Sequence, residues 1–363
     1  MMLFLAITSS VFLLMLLTNA MLNLIFQQQL WGGQPGNVKK TSVLIPARNE
    51  EKTLGKLLTD LVNLNNQPLE ILVLDDQSED QTAQIVQNFA EKHPNIQLLK
   101  SKQLPDGWLG KTHACHQLGQ AAKGRYFLFL DADVRIENKI IADAVCKAKK
   151  HKLALLSVFP KQKMRSLGER ASVPVMNFIL LSLLPLILVR KSPYPSHAAA
   201  NGQFMLFDGD VYRRTVPHSR HRSHVVEDIA IAQDFKTQGL PTACITGDSR
   251  IKCRMYSSYR DAVSGFSKNV FMFFGNKPAL AFVFWLFSAL GFLPVLIAMP
   301  QYFTFYIAAL LLLLFTYAMV SKQNVILSII LFPVHMIFML QIMINGLVIR
   351  TKKRMIWKGR SLG

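Results

Sequence analysis

The two ends of this sequence are almost free of charge, whereas its middle is rich in charged residues. Residues 1–38 carry no charged side chain, and Leu3–Phe26 is a nearly continuous apolar stretch. Lys322 is the only formal charge between Pro278 and Ile349. Apolar stretches of about 20 residues are long enough to cross a bilayer as helices. The pattern therefore predicts a membrane protein with a polar domain between its anchors.

The apolar stretches also set the predicted domain boundaries. A cleaved signal peptide is the alternative interpretation of the first segment, but the first residues lack the positive charge that such peptides carry. Polar breaks at Pro300-Gln301 and Ser321–Asn324 divide the C-terminal stretch into candidate spans. The predicted parts are an N-terminal transmembrane anchor at 1–28, a polar domain at 38–275, C-terminal transmembrane helices at 278–349 and a basic tail at 350–363.

A further apolar run at 173–190 lies inside the predicted polar domain. Pro174, Asn177 and Pro185 interrupt it. A full crossing at this point would put the two halves of the polar domain on opposite sides of the membrane. We therefore expect an interfacial or re-entrant apolar helix here, with a buried core helix as the alternative.

The sequence is strongly basic, with 41 Lys and Arg against 22 Asp and Glu. Many of the basic residues flank apolar segments, among them Lys39 and Lys40 after the first span and Arg190 and Lys191 after the middle run. Cations at the ends of membrane segments are typical of membrane proteins held against anionic lipid. We therefore expect a bilayer and no nucleic acid as partner. The four cysteines lack metal-ligand spacing, which favours reduced thiols in the cytosol.

The polar domain alternates between apolar strands and amphipathic helices. Strand-like runs such as "TSVLIPA", "LEILVLDD" and "RYFLFLDAD" are separated by segments with helical spacing of apolar residues. Unbroken apolar strands that alternate with helices predict an α/β fold with a mostly parallel, Rossmann-like sheet covered on both faces. Such sheets bind ligands beyond the carboxyl ends of their strands.

Two carboxylates follow one of these predicted strands. Asp131 and Asp133 are separated by a single residue, so in an extended segment their side chains point to the same side. Magnesium typically takes one or two protein carboxylates and completes its shell with water and phosphate oxygens. The pair therefore suggests a divalent cation that carries a nucleotide diphosphate. A solvated turn or helix cap is the alternative, but a second acidic cluster at Asp75-Asp76 favours the ion.

The acidic motifs resemble those of a known enzyme family. "PARNEE", "DDQSED", "DAD" and "VED" occur in the order seen in family-2 inverting glycosyltransferases with a GT-A nucleotide-diphospho-sugar transferase fold, and the resemblance covers about residues 40–275. A narrower resemblance, carried by "GWLGKTHAC", "CRMYSSYRDAVSGFSKN" and "WKGR", is to membrane glycosyltransferases of the 4,4'-diaponeurosporenoate type. Hopanoid-associated glycosyltransferases share part of the "GWxGK" pattern.

The family resemblance implies a nucleotide-sugar site. Asp76 would contact the uracil of a UDP-sugar, with Asp75 nearby. Pro46, Arg48 and Glu50 would line the same base and ribose pocket.

The resemblance also implies where the diphosphate binds. Asp131 and Asp133 would hold Mg²⁺ or Mn²⁺, and Lys111 would lie near the phosphates or the sugar. The Q-x-x-R-W motif of processive members is absent, and "CRMYSS" stands near its place, which leaves Arg254 as a possible phosphate contact. This departure argues against polysaccharide synthesis.

Asp228, directly after Glu227, occupies the position of the family's general base. A hydroxyl acceptor needs a carboxylate to take its proton, whereas a carboxylic acid acceptor arrives already ionised. An intact Asp228 therefore slightly favours a hydroxyl. The expected function is transfer of a hexose, UDP-glucose being the first candidate donor, to a lipid or terpenoid acceptor, with inversion. Alternatives are a glycolipid synthase that uses diacylglycerol or polyprenyl phosphate, and a non-catalytic membrane binding protein or flippase.

The resemblance places the enzyme in a bacterial plasma membrane as a multi-pass protein whose catalytic domain faces the cytosol. With three C-terminal spans, the basic tail would lie outside, against the positive-inside tendency. If the tail is inside, Trp357, Lys358 and Arg360 could approach the active site. The run "HSRHRSH" is expected to be a loop whose cations meet phosphate, with a zinc site as the less favoured alternative.

Overall fold

A computed structural model describes residues 1–352, 356–357 and 360–361 of this chain. The chain divides into two compact units. The α/β unit comprises Gln28–Lys161 and Leu186–Arg254. The helical unit comprises Met1–Gln27, Gln162–Pro185 and the described residues from Met255 onward.

The helices of the described residues are numbered in chain order. They are α1 (Met2–Ile25), α2 (Pro35–Val38), α3 (Leu54–Val62), α4 (Thr82–Ala90), α5 (Gly110–Ala121), α6 (Ile140–Lys150), α7 (Leu167–Arg170), α8 (Pro174–Leu183), α9 (Ile187–Lys191), α10 (Gly209–Thr215), α11 (Pro217–Arg220), α12 (Glu227–Thr237), α13 (Tyr259–Phe266), α14 (Pro278–Leu290), α15 (Phe292–Ala298), α16 (Phe303–Val320), α17 (Val325–Ile330) and α18 (Phe332–Lys352).

The strands are numbered in the same way. They are β1 (Thr41–Ala47), β2 (Glu70–Asp75), β3 (Ile96–Lys100), β4 (Tyr126–Leu130), β5 (Val134–Ile136), β6 (Leu155–Gln162), β7 (Phe204–Asp208), β8 (Thr242–Cys253), β9 (Ile356–Trp357) and β10 (Arg360–Ser361).

The α/β unit is built around one mixed sheet with the strand order β3-β2-β1-β4-β7-β6-β8-β5. The strands β3, β2, β1 and β4 run parallel, as the alternating strand–helix pattern predicts. Antiparallel pairs follow, between β4 and β7, β7 and β6, and β8 and β5. The sheet is thus parallel from β3 to β4 and contains antiparallel pairs beyond β4.

Both faces of the sheet are buried. In β1, Val43 and Ile45 pack into one apolar cluster, whereas Leu44 between them packs into a second cluster. Successive side chains of a strand point to opposite faces. An uninterrupted apolar strand is therefore what a sheet with helices on both faces requires.

The helical unit contains the segments that are apolar enough to cross a membrane. By length and composition these are Met2–Ile25, Pro300–Val320 and Phe332–Thr351, with a fourth if Pro278–Leu290 and Phe292–Ala298, which meet at 51°, form one bent span. The predicted breaks near Pro300 and Ser321–Asn324 coincide with ends of these helices.

The apolar run predicted at 173–190 forms two short helices, α8 and α9. The helix α8 has 10 residues, which is fewer than a membrane crossing needs. It ends before Pro185, and its C-terminal carbonyls are capped by α1: the amide of Asn23 donates to Leu181 and to Leu184, both at 2.9 Å. The helix end therefore has partners for its unpaired backbone groups within the helical unit. Interfacial placement of this segment stays a prediction.

The unit boundaries divide the predicted 38–275 domain. Residues 162–185 and 255–275 group with the helical unit. The basic tail at 350–363 is described only in part, and Lys358 and the side chains of Trp357 and Arg360 lie outside the described residues. The expectation that the tail approaches the active site therefore stays a prediction.

Candidate active site

The sheet topology brings the predicted motifs to one edge of the α/β unit. The strands β1, β2 and β4 are parallel, so the residues that follow Ala47, Asp75 and Leu130 leave the sheet at the same edge. Because β7 is antiparallel to β4, its first residue, Phe204, lies opposite Leu130. The turn Asn201–Gln203 before β7 therefore also lies at this edge.

Lys111 links two of the predicted acidic residues. Its Nζ lies 2.8 Å from Oδ1 of Asp131 and 3.6 Å from Oε1 of Glu227. Burial alone would lower the pKa of Lys111, but the charges of Asp131 and Glu227 raise it well above its ordinary value. The lysine is therefore a permanent positive charge between the end of β4 and the start of α12.

Asp133 has one oxygen without a partner. Its Oδ1 is buried and has no hydrogen-bond partner among the described residues. Burial, and then the charge of Asp131, raise the pKa of Asp133 to about 7. The Cys253 thiol also hydrogen-bonds this carboxylate, and Gln203 Nε2 donates to Cys253 Sγ at 2.8 Å. A buried carboxylate oxygen without a hydrogen-bond partner is available to bind a cation or a water molecule.

Asp228 is held in the site by backbone groups. Its Oδ2 accepts the N–H of Gly202 at 2.7 Å, and its Oδ1 accepts the N–H of Ile229 at 2.8 Å. Burial, and then the charge of Glu227, raise the pKa of Asp228 to about 7. A positioned carboxyl whose pKa lies near neutrality is suited to accept a proton at the pH of a cell.

The predicted nucleotide end of the site lies between β1 and β2. Asp76 is buried, and its backbone carbonyl accepts from Nη1 of Arg48 at 2.7 Å. Pro46 lies within β1 opposite Leu74 of β2. These contacts place the turns after the two strands side by side.

Two further predicted residues hold the turns that follow these strands. Oδ1 of Asp75 accepts the N–H of Ser78 at 3.2 Å. Oε2 of Glu50 accepts from the hydroxyl of Thr53 at 2.7 Å. Both carboxylates therefore have local structural partners, and a contact to a nucleotide stays a prediction for each.

Arg254 lies at the last position of the α/β unit. It is exposed and follows Cys253, which closes β8 opposite Val134 of β5. Arg254 therefore directly follows Cys253, whose thiol hydrogen-bonds Asp133. A contact between Arg254 and phosphate stays a prediction.

The histidines of "HSRHRSH" have different environments. His218 is buried, its Nδ1 lies 2.8 Å from the hydroxyl of Tyr212, and burial lowers its pKa to about 3. His221 instead lies 3.2 Å from the carboxylate of Asp234. A neutral core histidine cannot attract a diphosphate, so His218 does not have the phosphate-binding role that we expected of this segment's cations.

Sequence reasoning did not find the contacts around Cys253. Gln203 and Cys253 are separated by 50 positions, and nothing in the sequence connects either to Asp133. Trp108 is a second case, because its ring lies 5.3 Å from the ring of His113 and 5.2 Å from that of His116. The motif "GWLGK" predicted a role for Lys111 alone.

A comparison with known protein families finds a match for part of the chain. Residues 42–214 match the family described as glycosyl transferase family 2. These residues are a glycosyl transferase family 2 domain. The family 2 domain contains Asp76, Lys111, Asp131 and Asp133, whereas the candidate base Asp228 lies beyond the matched residues.

Curated relatives match a larger part of the chain than the family 2 domain. One relative is a 4,4'-diaponeurosporenoate glycosyltransferase of Staphylococcus haemolyticus, to which the chain is 27% identical over 232 residues. The matched residues make up 63% of this chain and 60% of that protein. The same identity holds over 263 residues for an enzyme of the same name from Staphylococcus aureus (strain USA300), 70% of this chain and 68% of that protein. The chain therefore spans about three fifths of the S. haemolyticus relative.

The fold has a solved counterpart. The mannosyltransferase PcManGT from Pyrobaculum calidifontis, in complex with GDP-Man and Mn²⁺, matches with a TM-score of 0.59 at 15% identity, over 96% of this chain and 99% of that one. At this identity the likeness is one of fold. The prediction of a GT-A fold with apolar helices at both ends is confirmed.

Proposed function

We propose that this chain is a membrane glycosyltransferase that transfers a hexose from a UDP-sugar, with UDP-glucose as the first candidate, to an apolar carotenoid-type acceptor with inversion. The observation that carries the proposal is the arrangement at the sheet edge. A half-buried base candidate, Asp228, and a cation, Lys111, both lie close to Gly202: a methyl group added there would be 3.6 Å from Asp228 Oδ2 and 3.2 Å from Lys111 Nζ.

A divalent cation, Mg²⁺ or Mn²⁺, fits the carboxylates of this site. The buried Oδ1 of Asp133 has no partner among the described residues, and Asp131 lies one residue away. Magnesium typically takes one or two protein carboxylates and fills its shell with water and phosphate oxygens, which is the number of carboxylates that Asp131 and Asp133 supply. When bound, the ion would stabilise the charge of the leaving diphosphate.

The residues of the chain support a single displacement. The bond between the anomeric carbon and the diphosphate oxygen breaks, and a bond from the acceptor oxygen to the same carbon forms. The diphosphate leaves with the electron pair, and Lys111 places a fixed positive charge near it. With a hydroxyl acceptor, Asp228 receives the proton. One displacement inverts the configuration of the sugar.

The relatives and the base candidate favour different accepting groups. The relatives are named for a diaponeurosporenoate, whose suffix denotes a carboxylate. The raised pKa of Asp228, about 7, instead suits proton removal from a hydroxyl. We therefore propose a carotenoid-type acceptor whose accepting group is either a hydroxyl or a carboxylate. Substitution of Asp228 distinguishes between these two groups.

The apolar helices favour action at a membrane. Met2–Ile25 and the C-terminal helices are long and apolar enough to span a bilayer, and an acceptor of this class dissolves in lipid. We propose that the α/β unit faces the cytosol of a bacterial cell, where the donor is made, and that the chain crosses the plasma membrane several times.

Membranes that contain the full chain should transfer labelled hexose from a UDP-sugar to extracted carotenoids. The assay compares UDP-glucose with other UDP-sugars and with GDP-mannose, and hydroxylated with carboxylated carotenoids, and it identifies products by mass. Product configuration, read by NMR, tests inversion.

A matched membrane preparation with Asp131→Asn and Asp133→Asn is the control. Labelling of diacylglycerol or polyprenyl phosphate instead of carotenoid would replace the proposed acceptor with a glycolipid precursor. Absence of any transfer, with lipid binding intact, would favour a non-catalytic role.

A further inference from the structure

A cluster of basic side chains lies at the C-terminal end of α6 in the α/β unit. None of its members takes part in the ion pairs found among the described residues. A helix C-terminus favours positive charge, which accounts for some of these residues but not for those outside α6. The cluster, called here the basic patch, consists of Lys147, Lys149, Lys150, His151, Lys152, Arg190 and Lys191.

Five members of the basic patch, Lys147, Lys150, His151, Arg190 and Lys191, are close enough to repel one another. Burial, and then the charges of Arg190 and Lys150, lower the pKa of Lys147. Burial, Arg190 and the neighbouring lysines, including Lys191, lower the pKa of His151. Each of the charged groups that act on these two residues is a cation. Negative charge from outside the chain would therefore relieve the repulsion.

The chain that follows α1 binds to the basic patch. Lys147 Nζ donates to the carbonyl of Gln29 at 3.2 Å, and Arg190 Nε donates to Oε1 of Gln28 at 3.4 Å. Lys150 Nζ lies 5.2 Å from the ring centroid of Trp31. Trp31 is 68% exposed, although exposure of the large apolar surface of an indole ring to water is unfavourable.

Chain length keeps this contact near the end of a candidate membrane span. Gln28 follows Ile25, the last residue of α1, by three positions. An extended chain spans at most about 3.6 Å per residue, so Gln28 is held within roughly 11 Å of the end of α1. With α1 in a bilayer, this is the depth of the lipid headgroups, where tryptophan is enriched.

We propose that the basic patch and Trp31 form a binding surface for the headgroups of anionic phospholipids. The patch supplies positive charge that has no ion-pair partner among the described residues, and Trp31 supplies an exposed amphipathic ring beside Lys150. Each lysine near an anionic leaflet strengthens binding by roughly fivefold. The surface would hold the α/β unit against a leaflet that contains such lipids, and this inference does not depend on which sugar is transferred.

The test uses the full chain in nanodiscs of phosphatidylcholine doped with acyl-brominated phosphatidylglycerol or acyl-brominated phosphatidylcholine. Bromine quenches nearby indole fluorescence, and the difference between the wild type and Trp31→Phe isolates the signal of Trp31. The patch variant is K149Q/K150Q/K191Q. The control variant, K56Q/K92Q/K123Q, changes the same number of exposed lysines elsewhere on the α/β unit.

In the wild type, brominated phosphatidylglycerol should quench Trp31 more than brominated phosphatidylcholine at the same mole fraction. The patch variant should reduce this preference by at least about fivefold, and the control variant should keep it. About 0.5 M NaCl should weaken the preference, because salt screens exposed charges.

Equal quenching by both lipids in the wild type would overturn the proposal. Equal losses in the patch and control variants would also overturn it, because net charge would then explain the effect. Inorganic polyphosphate is added as a soluble competitor. In one outcome, polyphosphate that carries far fewer negative charges in the sample than the phosphatidylglycerol does still abolishes the preferential quenching of Trp31 by brominated phosphatidylglycerol. In that case the patch is a site for a soluble polyanion, and the membrane proposal fails.

Discussion

The backbone N–H of Gly202 donates to Oδ2 of Asp228 at 2.7 Å, across 26 positions of sequence. The bond joins the turn before β7 to the first turn of α12. It fixes the orientation of the base candidate, and a methyl group added at Gly202 would lie 3.2 Å from Lys111 Nζ and 3.6 Å from Glu227 Oε1. A glycine at this position therefore keeps the space between Asp228 and Lys111 free of a side chain.

Gly202→Ala should lower turnover at least severalfold while the protein still folds. The added methyl would lie 3.2 Å from Lys111 Nζ, which is tighter than ordinary contact, so the flexible lysine would have to move away from Asp131. Gly36→Ala is the matched control, because a methyl there meets nothing within 4 Å. Transfer rates and thermal melting of both variants check the prediction. Equal rates in the two variants would show that the space at Gly202 is unused.

Asp133→Asn should weaken binding of Mn²⁺ in the presence of UDP and abolish transfer. The substitution removes the carboxylate whose buried Oδ1 has no partner among the described residues. Electron paramagnetic resonance of Mn²⁺ measures the binding directly. Because burial disfavours the charged form of Asp133, the melting temperature of Asp133→Asn should be no lower than that of the wild type. Full transfer in EDTA would contradict the role of a metal here, whereas recovery with Mg²⁺ or Mn²⁺ would support it.

Asp76→Ala should weaken UDP binding by about ten- to a hundredfold, the range for a lost hydrogen bond to a charged group. The contact from Arg48 goes to the backbone carbonyl of Asp76, so the substitution leaves it in place and tests the side chain alone. Isothermal titration with UDP, without acceptor, measures the change. Glu79→Ala, an exposed carboxylate after the same strand, is the control. An unchanged affinity in Asp76→Ala would remove this carboxylate from the proposed uracil pocket.

The parallel half of the sheet could be predicted because its strands are continuous apolar runs. Polar residues follow β1 and β4 directly, β2 ends in Asp75, and the carboxyl ends of parallel strands meet at one edge. Local pattern was therefore enough to bring Asp76 and Asp131 to the same region. The apolar helices were equally visible, because membrane spans need long runs without charge.

The half of the sheet that contains the antiparallel pairs could not be predicted in the same way. β5 has only three residues, and its partner β8 lies more than a hundred positions later. A short strand has too few residues for a periodic signal, and its pairing depends on contacts that no local window contains. The bond from Cys253 to Asp133 depends on this pairing, so the thiol could not be assigned to the site from the sequence.

The last prediction concerns the pH dependence of transfer. Asp228 must be ionised to take a proton, and burial, with the charge of Glu227, raises its pKa to about 7. With a hydroxylated carotenoid, the rate should rise about tenfold per pH unit below pH 7 and level off above it. Asp228→Asn should lower the rate by about a hundred- to ten-thousandfold, remove this dependence and leave UDP-sugar binding intact. With a carboxylated carotenoid, the acceptor is already ionised near neutral pH, so the same variant should lose much less. Transfer rates of the wild type and of Asp228→Asn, measured with each acceptor between about pH 5.5 and 8.5, distinguish a hydroxyl acceptor from a carboxylate acceptor. A small loss with both acceptors would show that Asp228 orients the site through Gly202 and is not its base.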